Sequence, residues 1–124
     1  MSITNEIMEI IYNNFETVCI QENAEAIESF IKEFNIDVNY DDGYYMQLIC
    51  KRNDLNLLRI FINHNGNVHI NNECLLRIAC HKGQFEIIEY LLKHCRSNYK
   101  VLYETTAYSN IPETKLYIDN YLRT

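Results

Sequence analysis

Glycine is scarce in this chain, and none of Gly43, Gly66 and Gly83 stands at G-x-G or Walker spacing. Without that spacing there is no backbone loop to cradle a phosphate as nucleotide-binding sites do. The G-x-S-x-G and H-E-x-x-H patterns are also missing, which removes a nucleophile elbow and a zinc-hydrolase helix. His64, His69, His81 and His94 fall one per element, so none has an identified catalytic partner; no enzyme activity and no cofactor are expected. No apolar run reaches the length of a membrane span. The start, Met-Ser-Ile-Thr-Asn-Glu, lacks a basic stretch followed by an apolar block, so no export signal is expected and a reducing, intracellular location is the default. Positive charge is short as well: 11 Lys and Arg face 17 Asp and Glu, a net charge of −6. Nucleic acid is therefore not an expected partner, because attraction to phosphate needs a positive field. Five cysteines are present without a Cys-x-x-Cys pair, and no metal site is expected.

What the chain does have is a period. The segments Cys74 to His81 and Phe85 to Leu92 are short, apolar-periodic and separated by Lys82-Gly83-Gln84, where glycine can take the left-handed conformation that ends a helix. Shifting back by about 30 residues lays Met46 to Asn53 over Leu76 to Gly83 and Leu57 to Ile62 over Ile87 to Leu92, with apolar positions coinciding. A further shift of about 31 lays Val18-Cys19 over Ile49-Cys50 and Ala26 to Ile31 over Leu57 to Ile62. Helix hairpins this short cannot stand alone, so they must stack. Cys19, Cys50 and Cys80 hold one position of three successive units, and the period reads them as small, buried, reduced packing residues. At the N-terminus Ile3, Ile7, Ile10, Ile11, Phe15, Val18 and Cys19 predict one long helix, followed by an outer helix from Ala24 to Phe34 that buries Ala26, Ile27, Phe30, Ile31 and Phe34. After Cys95 the period degrades: Tyr99 to Tyr108 predicts an inner helix and Asn110-Ile111-Pro112-Glu113 a helix start.

These residues resemble an ankyrin repeat. Leu76, Ala79-Cys80, Gly83, Glu86-Ile87-Ile88 and Leu91-Leu92 stand where the ankyrin pattern has Leu, Ala-Ala, Gly, a polar-Val-Val run and Leu-Leu, and Asp37-Val38-Asn39 and Asn67-Val68-His69 resemble the Asp-Val-Asn before its β-turn. The Thr-Pro of the pattern is replaced by Tyr44-Tyr45 and Cys74-Leu75, and its His by Gln47 and Arg77. Both turns are shortened alike, which resembles the shorter repeats encoded in large numbers by giant viruses of amoebae. The resemblance implies an all-α solenoid of three to four helix-turn-helix units with short turns. It divides the single domain into a capping helix and first repeat (1–34), a second repeat (35–65), a third (66–96) and a degenerate capping repeat (97–124).

The family also implies a place for a partner, the concave face made of turn tips and the exposed side of the inner helices. Carried over residue by residue, this marks Tyr40, Asp41, Gly43, Lys51 and Arg52 in one unit and Ile70, Asn71, Glu73, His81 and Lys82 in the next. Tyr44 and Tyr45 join Tyr40 as large amphipathic contacts of the kind enriched at interfaces, and Tyr40 with Arg52 is expected to dominate binding. Alternatively Tyr45 fills the place of the missing proline. The implied function is non-enzymatic binding of a viral or host protein; the sequence leaves the oligomeric state open, with a monomer favoured, and the expected location is intracellular, in host cytoplasm or virion if the protein is viral. A substrate adaptor or stoichiometric inhibitor, for instance in ubiquitin ligation, is the alternative; nucleic-acid binding through Lys51, Arg52 and Lys82 is the weaker one.

Overall fold

The computed structural model describes residues 3–100 and 112–123, and its regular structure there is helical, with no strand among the described residues. Helices α1 (Ile3–Gln21), α2 (Ala24–Phe34), α3 (Tyr40–Lys51), α4 (Leu55–Asn63), α5 (Ile70–Lys82) and α6 (Phe85–Lys93) form three consecutive hairpins, and α7 (Pro112–Arg123) follows. The inner helices α1, α3 and α5 pack side by side, and α4 lies on α2. Each outer helix is short and strongly two-sided, burying Ile27 and Ile31, then Leu57, Leu58 and Phe61, then Ile87, Ile88, Leu91 and Leu92. Such stripes at three- and four-residue spacing are what a helix presents to a core. The result is an all-α solenoid.

Local polar residues set the ends of the helices. Asn23 and Asp54 sit about one period apart before α2 and α4, and each accepts a backbone N–H through its side chain, from Ala26 at 2.9 Å and from Asn56 at 3.0 Å. These are N-caps, satisfying donors that the first turn leaves free. Asn35, Asn65 and Gly83 stop α2, α4 and α5 in the left-handed region, with the following residue's N–H returning to a carbonyl five residues back. This closes the last turn as glycine or asparagine does best.

The shortened turns have an unusual solution. Asp41, Asp42 and Gly43 all have left-handed φ, and so do Asn71, Asn72 and Glu73 one period later. Each triplet makes one left-handed turn whose last N–H reaches back four residues, Gly43 to the Asn39 carbonyl at 3.1 Å and Glu73 to the His69 carbonyl at 3.3 Å. A run of three such residues is disfavoured for L-amino acids, and aspartate and asparagine tolerate it best. The residue before each tip is set by an Asx turn: Asp37 accepts from the Asn39 N–H, Asn67 from that of His69, and Asn98 from that of Lys100. Asn98-Tyr99-Lys100 thus repeats the junction a third time. The predicted inner helix from Tyr99 lies mostly at residues outside the described set, and Tyr99 and Lys100 themselves form a 3-10 turn.

Successive units are tied by specific contacts. The Arg52 guanidinium donates to the Cys19 carbonyl at 3.0 Å and the Glu22 carbonyl at 2.7 Å, capping α1, whose last turn has no basic residue of its own. The Asn39 amide donates to the Asn65 carbonyl at 3.0 Å while its oxygen accepts from the Asn67 N–H at 2.7 Å. Cys19, Cys50 and Cys80 are free and fully buried, and the Cys50 thiol reaches the Leu75 carbonyl of the next inner helix at 3.7 Å. Thr114 of α7 donates to the Cys80 carbonyl at 2.9 Å, and Ile118 is buried beneath it.

Burial along α1 is uneven, and one expectation about burial in α2, that of Phe34, needs correction. Ile3, Ile7 and Ile10 are exposed, because α1 is 19 residues long and its partner α2 only 11; its buried residues, Tyr12, Phe15 and Cys19, all lie in the second half. Phe34 is also largely exposed at the end of α2, touching Phe30 at 4.5 Å between ring centroids.

Three outcomes test this packing. A Cβ at Gly66 would lie 2.7 Å from the Phe61 carbonyl oxygen, so Gly66→Ala should lower unfolding free energy by about 1–3 kcal/mol in urea melts, as overpacking does. Arg52→Ala, removing two charge-assisted bonds at a solvent-exposed site, should cost about 1 kcal/mol by the same measurement. Burial pushes the Cys19, Cys50 and Cys80 thiols up to about 12; the thiolate is thus depleted at pH 8, and alkylation of these three should be much slower in native protein than in urea.

Candidate partner-binding face

The ten residues marked by the resemblance divide into scaffold and surface. Gly43 is buried beneath the turn with φ of +80°, and an added Cβ would meet Ile70 Cγ2 at 2.6 Å. Here the absence of a side chain lets two successive units approach. Glu73 is also buried: one carboxylate oxygen accepts from the Asn98 N–H at 3.2 Å and the other pairs with the His69 ring. It holds the next junction, as buried carboxylates need several partners to be tolerated. Arg52 is exposed but its guanidinium is committed to α1. Expecting Gly43 and Glu73 at a surface, and Arg52 as a free anchor, overlooked the close approach of Ile70 to Gly43 and the bonds that Glu73 and Arg52 make to neighbouring units. Ile70 is half-buried and Asn71 exposed.

Tyr40, Asp41, Lys51, His81 and Lys82 remain as exposed side chains, and they fall into two places. The first is a groove of about 540 Å³ between α1 and the start of α3, lined by Asn5, Met8, Glu9, Tyr12, Asn13, Tyr40, Asp41 and Tyr45. Its aromatic wall is built tightly. Tyr40 stacks on Tyr12 with centroids 4.0 Å apart and planes 16° from parallel; the Tyr12 hydroxyl accepts from the Asp37 N–H at 3.1 Å, and the Tyr45 hydroxyl donates to the Tyr12 carbonyl at 3.2 Å. Burial pushes the Tyr45 phenol up to about 12, so it stays a neutral donor. Tyr45 is therefore a core residue at the position where the pattern has proline, while Tyr44 is half-buried and donates to Glu16 at 3.0 Å, which raises its pKa.

The second place is a shallower cleft of about 280 Å³ between α3 and α5, lined by Lys51, Arg77, Ile78, His81 and Lys82. Arg77, at the position of the pattern's His, donates to the Asn71 carbonyl at 2.8 Å and the Asn72 carbonyl at 3.1 Å, holding the left-handed turn while its charge contributes to the cleft. The contrast between the two places runs through the sequence. Residues 1–50 carry ten acidic and one basic residue, residues 51–124 seven acidic and ten basic. Composition alone carries that asymmetry, whereas the contribution of α1 to the groove, through Met8, Glu9 and Tyr12, depends on how the helices pack.

No group of three or more His, Cys, Asp and Glu among the described residues could hold a metal, and no helix there is long and apolar enough to cross a membrane.

Comparison with known proteins agrees with this architecture. The family model for ankyrin repeats in three copies matches residues 15–102. A putative ankyrin repeat protein of Acanthamoeba polyphaga mimivirus is 28% identical over 93 residues, which is 71% of this chain and 24% of that protein. The chain thus spans about a quarter of the length of this relative. No solved structure matches it. Its repeat period, helix pairs and the match across most of its length agree, and the chain belongs to the ankyrin-repeat family.

Proposed function

We propose that this chain is a non-enzymatic binding module that takes another protein, viral or host, on the face of its inner helices. Ankyrin repeats generally mediate protein–protein interaction. The observation that carries the finer reading is that the groove and the cleft are both lined by inner-helix residues alone, from α1 and α3 in one case and α3 and α5 in the other. Exposed aromatic and charged side chains there stand on a scaffold fixed by other residues, so their contacts are preorganised, which lowers the ordering cost of association. Tyr40, Asp41, Lys51, His81 and Lys82 are the proposed contact set, with Ile70 and Asn71 between them. The site of action proposed is inside the cell, in host cytoplasm or virion if the protein is viral.

A paired set of variants tests the assignment. Tyr40→Ala/Lys51→Ala/Lys82→Ala changes the inner face without touching Arg52, and Lys32→Ala/Glu89→Ala/Lys93→Ala changes exposed positions of the outer helices. The second set should melt close to the parent, because exposed substitutions usually matter little to stability, and the first only slightly lower, by the loss of the Tyr40 stack on Tyr12. Capture of partner from lysate of the producing cells should fall roughly tenfold or more for the first set and stay unchanged for the second, since few central residues dominate an interface. Loss confined to the outer set would place the interface elsewhere.

A further inference from the structure

The groove between α1 and the turn at 40–43 has a more specific chemistry than a general contact surface. We infer that it binds an arginine- or lysine-rich linear segment of a partner protein, a reading that rests on the inner face being the binding face and adds the partner's chemical class. Charge comes first. Glu9 and Asp41 both line the groove, one from α1 and one from the turn, and among the described residues no lysine or arginine lines it. The chain has no lysine or arginine before Lys32, whereas Glu6 and Glu16 stand on the same helix as Glu9 and Asp42 on the same turn as Asp41. A concave site walled by one sign of charge concentrates its field and draws the opposite sign.

Shape and aromatic character narrow the ligand further. Tyr12 stacks on the Tyr40 ring, yet Tyr40 is still 45% exposed and lines the groove together with Asp41. A guanidinium laid on a tyrosine face with a carboxylate at its edge satisfies both its planar cation and its N–H donors. This chain already contains the guanidinium–ring part of such an arrangement, with the Arg59 guanidinium 5.9 Å from the Tyr90 ring centroid. Met8 supplies apolar surface beside the stack, suited to the methylene stem of a long basic side chain. An acidic segment is repelled here and is matched instead by Lys51, Arg77 and Lys82 in the neighbouring cleft.

The test uses the whole chain and two fluorescein-labelled peptides, one of alternating arginine and alanine and one of alternating glutamate and alanine, read by fluorescence anisotropy. Four variants accompany the parent, Lys51→Ala/Lys82→Ala in the neighbouring cleft being the last. Glu9→Gln/Asp41→Asn removes the groove carboxylates, and asparagine is already the residue one period later, at Asn71 in the same left-handed conformation, so the turn is retained. Glu25→Gln/Glu33→Gln removes the same charge from exposed positions of α2. Tyr40→Ser removes the ring. The arginine peptide should bind the parent, weaken roughly tenfold in Glu9→Gln/Asp41→Asn and roughly threefold in Tyr40→Ser, and be nearly unaffected by Glu25→Gln/Glu33→Gln. Equal weakening by both carboxylate pairs would reduce the effect to overall charge and overturn the inference. So would failure of the arginine peptide to bind the parent. If the glutamate peptide alone bound, and Lys51→Ala/Lys82→Ala abolished that binding, the groove would be excluded while the inner face kept its role; the capture experiment with outer-helix variants decides that role separately.

Discussion

No hairpin in this chain can bury its own apolar surface, and the fold follows from that constraint. Phe15, Phe61, Met46, Ile49, Leu75, Leu76 and Ile88 are all fully covered, and they come from all three hairpins, so they are buried together or not at all. Close approach of the inner helices requires small residues between them, which is where Cys19, Cys50, Ala79 and Cys80 stand. In such a stack, stability is close to a sum of unit and interface terms. A contact that crosses between units therefore supports more than its own neighbourhood. Arg52 on α1, Asn39 on the second junction and Glu73 on the third each cross in this way.

The left-handed turns connect that packing to the proposed binding face. A finger projecting from each unit would place the contact surface on loops; a single turn of three residues keeps it on the helices themselves. The conformation is unfavourable residue by residue, and the compensation is visible in composition: Asp-Asp-Gly in one unit and Asn-Asn-Glu in the next. Glu73 has no intrinsic preference for this region, unlike Gly43 at the equivalent position. Its carboxylate instead gains the His69 ring and the Asn98 N–H, bonds that a glycine lacks. The two turns thus reach the same backbone by different means, one by removing the steric penalty and one by offsetting it.

This difference explains how much is legible in the sequence. Repeat boundaries, the three outer-helix stripes and the buried cysteine row depend on spacing, and spacing is local. Gly83 acts within a turn or two of itself and is readable for the same reason. Arg52 and Glu73 look like surface charges because each bonds to a backbone group 25 to 33 residues away, and nothing in their own segment signals it. Ile3, Ile7 and Ile10 follow the helical period faithfully, yet period reports which residues share a face, not whether another helix extends far enough to cover it. The groove escapes the sequence on the same account: it exists because α1 outruns α2 and passes beside the second turn.

Charge along α1 separates two explanations of its acidity. Glu6 lies in the first turn of the helix, where the macrodipole favours a negative group whether or not anything binds. At the other end, the bare carbonyls of Cys19 and Glu22 receive Arg52 from the next unit, so the negative pole is neutralised internally. Glu9 lies beyond the first turn, where the dipole has largely faded, and Asp41 belongs to a left-handed turn outside this helix altogether. Asn71 holds the equivalent position with the same backbone, so conformation alone does not require a carboxylate at residue 41. Helix and turn stability thus account for Glu6 and for an Asx side chain at 41. They leave the negative charge of Glu9 and Asp41, which line the same groove as Tyr12 and Tyr40, as a property of the surface rather than of the fold.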